Sequence, residues 1–312
     1  MSVPIRGFWG CRGFRFPRFS ARYRLGKKYR NHRAVARKSI CAGPGTSRHC
    51  GINAQTALVF HAGHAGSKLN PWNQMPKTQQ VEHPTSKADV FAALNSAKGG
   101  AVEEGNVGGG TGMIAYTFKG GIGTASRVVG SGDQRYTVGV LVQADHGNRD
   151  ELRIAGLPMG RMIDGAWPSQ KGVVVFGPDA GKTVAMPEKN SLLIVIATDA
   201  PLQAHQLERL ARRARLGLGR TGSTAGNLSG EFSLAFSTTN ILSIDGSPAM
   251  QAAPISDLDD EVMNSLFAAT VQAVEEALAN QLVASETMTG MDDVTGYGLP
   301  HDQLADIFRG AR

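Results

Sequence analysis

The segment GNLSGEFSLAFSTT, residues 226–239, joins a stretch without apolar periodicity to a stretch in which apolar and polar residues alternate. Upstream, residues 219–227 are small or polar, with repeated glycine and no apolar period. Downstream, Phe232, Leu234 and Phe236 alternate with polar or small residues, which is the two-residue period of a half-buried strand. The sequence therefore predicts a loose loop that ends at Ser229 and a core strand that begins there.

A serine at such a boundary has a specific chemical use. A hydroxyl is a weak nucleophile without an adjacent base, and a cut just before the serine creates that base from the new α-amino group. An unperturbed α-amine has a pKa of about 7.7 to 8.0, so it can accept the hydroxyl proton near neutral pH. Ser229 is therefore a candidate N-terminal nucleophile, and the alternative is an ordinary serine where a loop enters a strand.

Apolar patterns predict the other elements. Strands are expected at 136–145 (YTVGVLVQAD), 172–177 (GVVVFG) and 191–198 (SLLIVIAT), and a hairpin is expected between GMIAYTF and IGTASRVV. Helices are expected from Ser86 to about Ala97, from Pro201 to about Gly217, from about Asp259 to Ser285, and after Pro300. Several long strands with a few long helices predict an α+β fold or a layered sandwich.

The excess of positive charge lies at the beginning of the chain. Residues 1–81 carry 15 of the 33 basic residues and no acidic one, which gives this segment a larger positive charge than the formal net charge of the whole chain, +7. A transit peptide, a nucleic-acid-binding arm and a wrongly assigned gene start would each give this composition. We favour the third interpretation, expect no nucleic-acid partner, and divide the chain into a basic head, 1–81, and a folded domain, 82–312.

The cysteines and the apolar runs exclude several classes of protein. Cys11, Cys41 and Cys50 all lie in the basic head, at spacings that fit neither a disulfide framework nor a C-x-x-C metal site. The sequence has no run of 18 apolar residues and no apolar signal core near its start. We expect no metal, no membrane span and a cytoplasmic location.

Residues 104–113, EGNVGGGTGM, contain five glycines in ten positions. Such density lets a ligand or another part of the chain approach the backbone closely, and a flexible turn is the alternative. Asn106, Gly109 and Thr111 are the candidate substrate-binding residues of this segment.

Five blocks in order resemble one family. The blocks are EGNVGGGTGM with FKGGIGTASR, VGVLVQADHG, IVIATDAPL, NLSGEFSLAFST and ASETMTG. They resemble the DmpA/BapA family of L-aminopeptidase D-esterases and β-peptidyl aminopeptidases, from about Lys87 to the end. The resemblance implies an αββα sandwich, a tetrameric assembly, no cofactor, and a precursor that cuts itself before its serine. The α fragment would end at Leu228 and the β fragment would be 229–312.

The resemblance also implies further site residues. His146 stands where the family has an oxyanion-stabilising tyrosine, and a histidine can donate from a ring nitrogen. Asp199 is the candidate for a second oxyanion residue, or else it caps the following helix. A family glutamate orients the new amine. We assign Glu275, because at about 100° per residue it lies nearer the apolar stripe of its helix than Glu276 does, and Glu286 is a further candidate.

The sequence departs from the family in four further places. Leu228 replaces Gly or Asn, which predicts slow self-cleavage, Glu231 replaces Asp, and Ala273 replaces a serine near the glutamate. Residues 1–80 do not match the early strands of the family.

The sequence leaves three candidate functions. The first is a self-cleaving serine aminopeptidase that acts on short peptides, amides or esters with L-, D- or β-amino acyl groups. The others are an acyltransferase on the same fold and an inactive truncated remnant.

Overall fold

The structure is a computed structural model. It describes residues 87–97, 99–131, 134–170, 173–174, 191–227, 229–239, 258, 260–290 and 293–311. The basic head at 1–81, Leu228 and the predicted loop at 240–257 lie outside the described residues. Of the strand predicted at 172–177, the structure describes two residues.

The described residues form ten strands and five α-helices. The strands are β1 (Ile114–Ala115), β2 (Phe118–Lys119), β3 (Ile122–Ser131), β4 (Gln134–Asp145), β5 (Ser169–Gln170), β6 (Val173–Val174), β7 (Ser191–Thr198), β8 (Gly230–Ser237), β9 (Met288–Thr289) and β10 (Val294–Gly296). The helices are α1 (Lys87–Asn95), α2 (Met159–Met162), α3 (Ala204–Arg220), α4 (Asp260–Ala284) and α5 (His301–Gly310).

The main sheet has four strands in the order β3-β4-β7-β8. The first two pairings are antiparallel and the third is parallel. Seven of the eight residues of β7 are buried, as expected for a central strand that is covered on both faces. The strands predicted at 136–145, at 191–198 and after Ser229 are confirmed. A second, smaller sheet has the order β6-β5-β10-β9.

Helices α3 and α4 pack on one face of the main sheet. The predicted apolar stripe of α4 is buried there, with Leu278 and Leu282 each 1% exposed. Burial of one leucine side chain contributes roughly 1.5 to 3 kcal/mol, so this stripe is a main source of stability. Gly123 of β3 permits the close approach, because a Cβ atom there would lie 2.0 Å from the carbonyl oxygen of Ala277.

The opposite face of the main sheet carries a second apolar cluster. Its buried members are Ile122, Leu141, Leu193, Val195, Ala197 and Phe236. Phe232 lies on the same strand face as Phe236 and is 53% exposed. The helices and the mixed sheet confirm the predicted α+β class, with α3 and α4 as an outer helical layer over the sheet.

Two predictions of local structure are wrong, and the first concerns the hairpin. GMIAYTF does not pair with IGTASRVV: it closes on itself as β1 and β2, and β3 pairs with β4 over ten residue pairs. The turn between β1 and β2 is Tyr116 and Thr117, with φ of 50° and 62°. Two positive φ values are typical of a tight hairpin turn, but glycine or asparagine usually supplies them. The sequence therefore carries no signal for this turn.

Helix α3 begins later than predicted, at Ala204 instead of Pro201. Gln203 is its N-cap: the Gln203 backbone N–H donates to the side chain of Gln206, and the two side chains form a reciprocal capping box. Because Gln203 caps the helix, Asp199 is not its N-cap residue.

Candidate active site

The strand register brings the candidate nucleophile and the candidate oxyanion residue to one end of the main sheet. Asp145 of β4 is paired with Ser191 of β7, and Ser191 is paired with Gly230 of β8. His146 directly follows this row and Ser229 directly precedes it. Neighbouring strands lie about 4.8 Å apart, so the two residues stand roughly 10 Å from each other across β7.

Ser229 is half-buried and both of its polar groups have partners. The backbone N–H donates to the carbonyl of Gly226 at 2.9 Å. The hydroxyl donates to Oε1 of Glu231 at 2.6 Å. The hydroxyl is therefore already held against a carboxylate on its own strand, two residues further along.

The loop before Ser229 has an anchored first half and an exposed second half. The side chains of Thr221 and Thr224 bond to Tyr116 and Glu151, with oxygen–oxygen distances of 2.8 and 3.2 Å. Gly222, with φ +97°, lies against the Glu151 carbonyl, where a Cβ atom would come within 1.8 Å. Residues 225 and 227 are exposed. The loop that the sequence predicts to be loose throughout is thus loose only next to the candidate cleavage site.

His146 is fully buried, and its ring contacts the edge of the Tyr116 ring with the two centroids 4.9 Å apart. Neither ring nitrogen has a hydrogen-bond partner within the described part of the chain. Burial lowers the pKa of His146 to about 3. The imidazole is therefore neutral at pH 7, with one N–H that can donate, and an unsatisfied buried donor of this kind is rare in proteins.

The structure does not bring Asp199 to Ser229. Asp199 follows Thr198, the last residue of β7, whereas Ser229 precedes Gly230, which is paired with Ser191, the first residue of that strand. At about 3.3 Å per residue, the two stand roughly 30 Å apart along the sheet. One carboxylate oxygen of Asp199 accepts the backbone N–H of Thr137 at 2.7 Å, so this side chain links the ends of β7 and β4.

Glu275 and Glu276 differ in the way the helix geometry predicts. The Glu275 side chain is 24% exposed and forms an ion pair with Arg220, the last residue of α3. The Glu276 side chain is 42% exposed and pairs with Arg127 of β3. The carboxylate of Glu275 thus lies where α3 ends and the loop to Ser229 begins.

The glycine-rich segment packs against other parts of the chain. The side-chain amide of Asn106 donates to the carbonyl of Glu286 and accepts its N–H, at 2.7 and 2.8 Å. A Cβ atom on Gly109 would lie 2.0 Å from the buried side chain of Gln143. The Thr111 hydroxyl donates to the carbonyl of Gly108 at 2.8 Å. The close approach that the glycines permit is therefore made by other residues of this same chain. The side chain of Glu286, the third glutamate considered for orienting the amine, is exposed.

Lys119 is a buried charge that the sequence did not predict. This side chain is 2% exposed, and its ammonium donates to the carbonyls of Gly110, Met113 and Gly120 at 2.9, 2.9 and 2.6 Å. Burial lowers its pKa to about 8, against an opposing effect of the Asp145 carboxylate. The signal was a single lysine between a short apolar run and two glycines, FKGG. Lys119 ties the glycine-rich segment to the β1–β2 hairpin.

Two features are absent from the described residues. In the ranges given above, no group of three or more His, Cys, Asp or Glu residues could hold a metal ion. Among the helices that the structure describes, none is long and apolar enough to cross a membrane.

Solved structures define the class of the fold. The chain is similar to the L-aminopeptidase D-Ala-esterase/amidase of Ochrobactrum anthropi, described as a prototype for the serine aminopeptidases and a variant of the Ntn hydrolase fold. The identity is 40%, the TM-score is 0.63, and the match covers 74% of this chain and 59% of that one. A Burkholderia sp. β-aminopeptidase matches at 35% identity and a TM-score of 0.62, over 82% of this chain and 70% of that one.

The family follows from the sequence. Residues 78–295 match peptidase family S58, and the chain belongs to that family. It is 66% identical to the β-peptidyl aminopeptidase BapA of Sphingosinicella xenopeptidilytica over 227 residues, which are 73% of this chain and 56% of the relative. The chain therefore spans little more than half the length of that relative. The resemblance to the DmpA/BapA family is confirmed.

Proposed function

We propose that this chain is a self-processing serine aminopeptidase. It cuts the peptide bond between Leu228 and Ser229 and then uses Ser229 to release N-terminal residues from short peptides, amides or esters. The observation that carries the proposal is the position of Ser229, at the junction between an exposed loop segment and the first residue of a core strand. Membership of family S58 and the similarity to serine aminopeptidases support it.

Self-processing would proceed by an acyl shift. The Ser229 hydroxyl attacks the carbonyl carbon of residue 228, and the acyl group moves from the Ser229 nitrogen to its oxygen. Water then hydrolyses the ester, which leaves one fragment that ends at Leu228 and another that begins at Ser229. The glycines and exposed residues before Ser229 suit this step, because Ser229 leads directly into β8, whereas residues 222–227 lie in no helix or strand.

Turnover would use the amine that the cut creates. The α-amine accepts the hydroxyl proton as Ser229 attacks the substrate carbonyl, and water releases the acyl group from the ester. His146 would donate its neutral N–H to the oxyanion. Two observations support this role: its ring nitrogens have no hydrogen-bond partner among the described residues, and it lies at the same end of the sheet as Ser229. Asp199 has no part in this mechanism, because it lies at the other end.

The remaining roles concern the amine, the substrate and the assembly. Glu275 would orient the α-amine, supported by its position where α3 leads into the nucleophile loop. Gly109 and Thr111 would contact the substrate backbone, and Asn106 would hold that segment through its bonds to Glu286. We expect the processed units to form the tetramer that the family resemblance implies, which light scattering after size-exclusion chromatography tests.

The experiment is an assay of purified protein on L-alanyl, D-alanyl and β-alanyl p-nitroanilides. We expect release of p-nitroaniline by the natural chain and none by Ser229→Ala. Addition of an amine acceptor separates hydrolysis from acyl transfer: free amino acid as the main product supports an aminopeptidase, and an acylated acceptor as the main product supports a transferase. Equal activity of the Ser229→Ala variant would overturn the proposal.

A further inference from the structure

The first cut poses a problem that the turnover mechanism does not solve. In the intact chain the nitrogen of Ser229 is an amide, and its N–H donates to the carbonyl of Gly226 at 2.9 Å. An amide nitrogen is not a base. Another group must therefore take the hydroxyl proton in the precursor, before any α-amine exists.

Glu231 is in contact with the proton concerned. The Ser229 hydroxyl donates to Oε1 of Glu231 at 2.6 Å, within the range of about 2.5 to 2.7 Å that is typical of a hydroxyl bonded to a carboxylate. Residues two apart in an extended chain point to the same face. Ser229 directly precedes β8, and its side chain lies beside that of Glu231.

The surroundings of Glu231 give it access to solvent. Together with Arg215 of α3, Glu231 lines a solvent-open cavity of about 190 Å³ between α3 and β8, whose apolar wall includes Ile194, Ala214 and Leu218. Arg215 is the other charged residue of this lining. The neighbouring strand β7 contributes no titratable side chain. A carboxylate in this position can exchange protons with water.

The other candidate bases of the site are less well placed. His146 stands on the far side of β7, and burial lowers its pKa to about 3, which makes it a poor proton acceptor at neutral pH. The Glu275 carboxylate is engaged by Arg220. Among the residues that the structure describes, Glu231 is the base in direct contact with the nucleophile.

We propose that Glu231 is the catalytic base of self-processing, an inference that rests on the proposed self-cleavage. Its carboxylate takes the proton of the Ser229 hydroxyl as the oxygen bonds to the carbonyl carbon of residue 228. The bond from that carbon to the Ser229 nitrogen then breaks, and the Glu231 carboxyl gives the same proton to the departing nitrogen. The products are an ester on Ser229 and a free α-amine, and the carboxylate is regenerated.

The test follows the rate of splitting of the full chain, pulse-labelled during cell-free translation and sampled by electrophoresis. Glu231→Gln keeps the size and the hydrogen-bonding capacity of the side chain but removes its basicity. We expect splitting to slow by about 100-fold or more, the usual effect of losing a general base. Glu103→Gln, which changes an exposed glutamate far along the chain from Ser229, is the control and should split at the natural rate.

A second variant tests the inference if Glu231→Gln fails to fold. Glu231→Ala leaves space beside Ser229, and added formate supplies a carboxylate without touching the fold. We expect formate to accelerate its splitting in proportion to concentration, and a folded Glu231→Ala chain that formate does not accelerate would overturn the inference.

The outcomes separate this inference from the function on which it rests. A natural chain that stays whole, or a Ser229→Ala chain that still splits, contradicts self-processing itself. A natural chain that splits, a Ser229→Ala chain that does not, and a Glu231→Gln chain that splits at the natural rate together contradict only the role of Glu231.

Discussion

The hydroxyl oxygens of Tyr116 and Thr221 lie 2.8 Å apart, although 105 positions separate the two residues in the sequence. Tyr116 is the first residue of the positive-φ turn between β1 and β2, and Thr221 opens the loop that leads to Ser229. The Tyr116 ring also contacts His146. One buried side chain therefore joins a strained turn, the candidate oxyanion residue and the nucleophile loop.

Tyr116→Phe tests this junction. The change removes the hydroxyl but keeps the ring, and Thr221 retains its bond to the carbonyl of Leu218 at 2.7 Å. We expect a loss of about 0.5 to 1.5 kcal/mol in the free energy of unfolding, the usual net value of one hydrogen bond. Urea denaturation measures it. Tyr136→Phe, at a half-buried position on β4, should change the midpoint less, and a larger loss there would contradict this ranking.

Gly222→Ala should disturb the anchored half of the nucleophile loop. The new Cβ would meet the Glu151 carbonyl at 1.8 Å, and φ is +97° at this position. We expect destabilisation of more than about 1 kcal/mol, the cost of a left-handed alanine alone, together with slower splitting. Gly219→Ala is the matched control: its Cβ would meet nothing within 4 Å and it lies in α3, so it should stabilise the chain by about 0.5 to 1 kcal/mol. Equal effects of the two changes would be the contrary result.

His146 should make stability depend on pH. Its pKa is lowered from 6.5 to about 3 by burial, so between these values the unfolded chain binds a proton that the folded chain does not. The free energy of unfolding is therefore unaffected by protonation of His146 above about pH 6.5. Below that value it falls by about 1.4 kcal/mol per pH unit. Denaturation at pH 7 and pH 5 measures the loss. The difference in the free energy of unfolding between pH 7 and pH 5 should be smaller by about 2 kcal/mol in His146→Phe. An unchanged difference would contradict a buried neutral histidine.

Glu275→Gln and Glu276→Gln form a matched pair on one helix. Both carboxylates pair with an arginine, but only that of Glu275 faces the end of α3 that leads to the nucleophile loop. We expect kcat of the processed protein to fall by about 100-fold in Glu275→Gln, as for loss of a group that acts with the catalytic base. Glu276→Gln should stay within about threefold, because exposed ion pairs are worth little. The reverse order would assign the role to Glu276.

Periodicity along the chain predicted the long elements, because β4, β7, β8 and α4 bury faces that alternation or the helical period makes visible. It failed where a distant contact decides the local structure. The Tyr116–Thr117 turn takes positive φ values without glycine, and both of its side chains are hydrogen-bonded to distant residues, Tyr116 to Thr221 and Thr117 to Arg149. Spacing also could not show that Asp199 and Ser229 lie at opposite ends of β7, because that depends on the parallel register of β7 and β8.

The candidate site was predictable where it depends on chemistry local to the chain. Ser229 stood out at a boundary between loop and strand, and the helix period ranked Glu275 as more buried than Glu276. The contact between Ser229 and Glu231 was not predicted, although the two residues share a strand face. Lys119 was missed because its three carbonyl partners, two from the glycine-rich segment and one from Gly120, converge only in the fold.

The most direct measurement is the intact mass of the purified natural chain beside that of Ser229→Ala. Self-processing predicts two fragments from the natural chain, divided between Leu228 and Ser229, and one whole chain from the variant. A natural chain that remains whole after prolonged incubation, or a variant divided at the same bond, would contradict it.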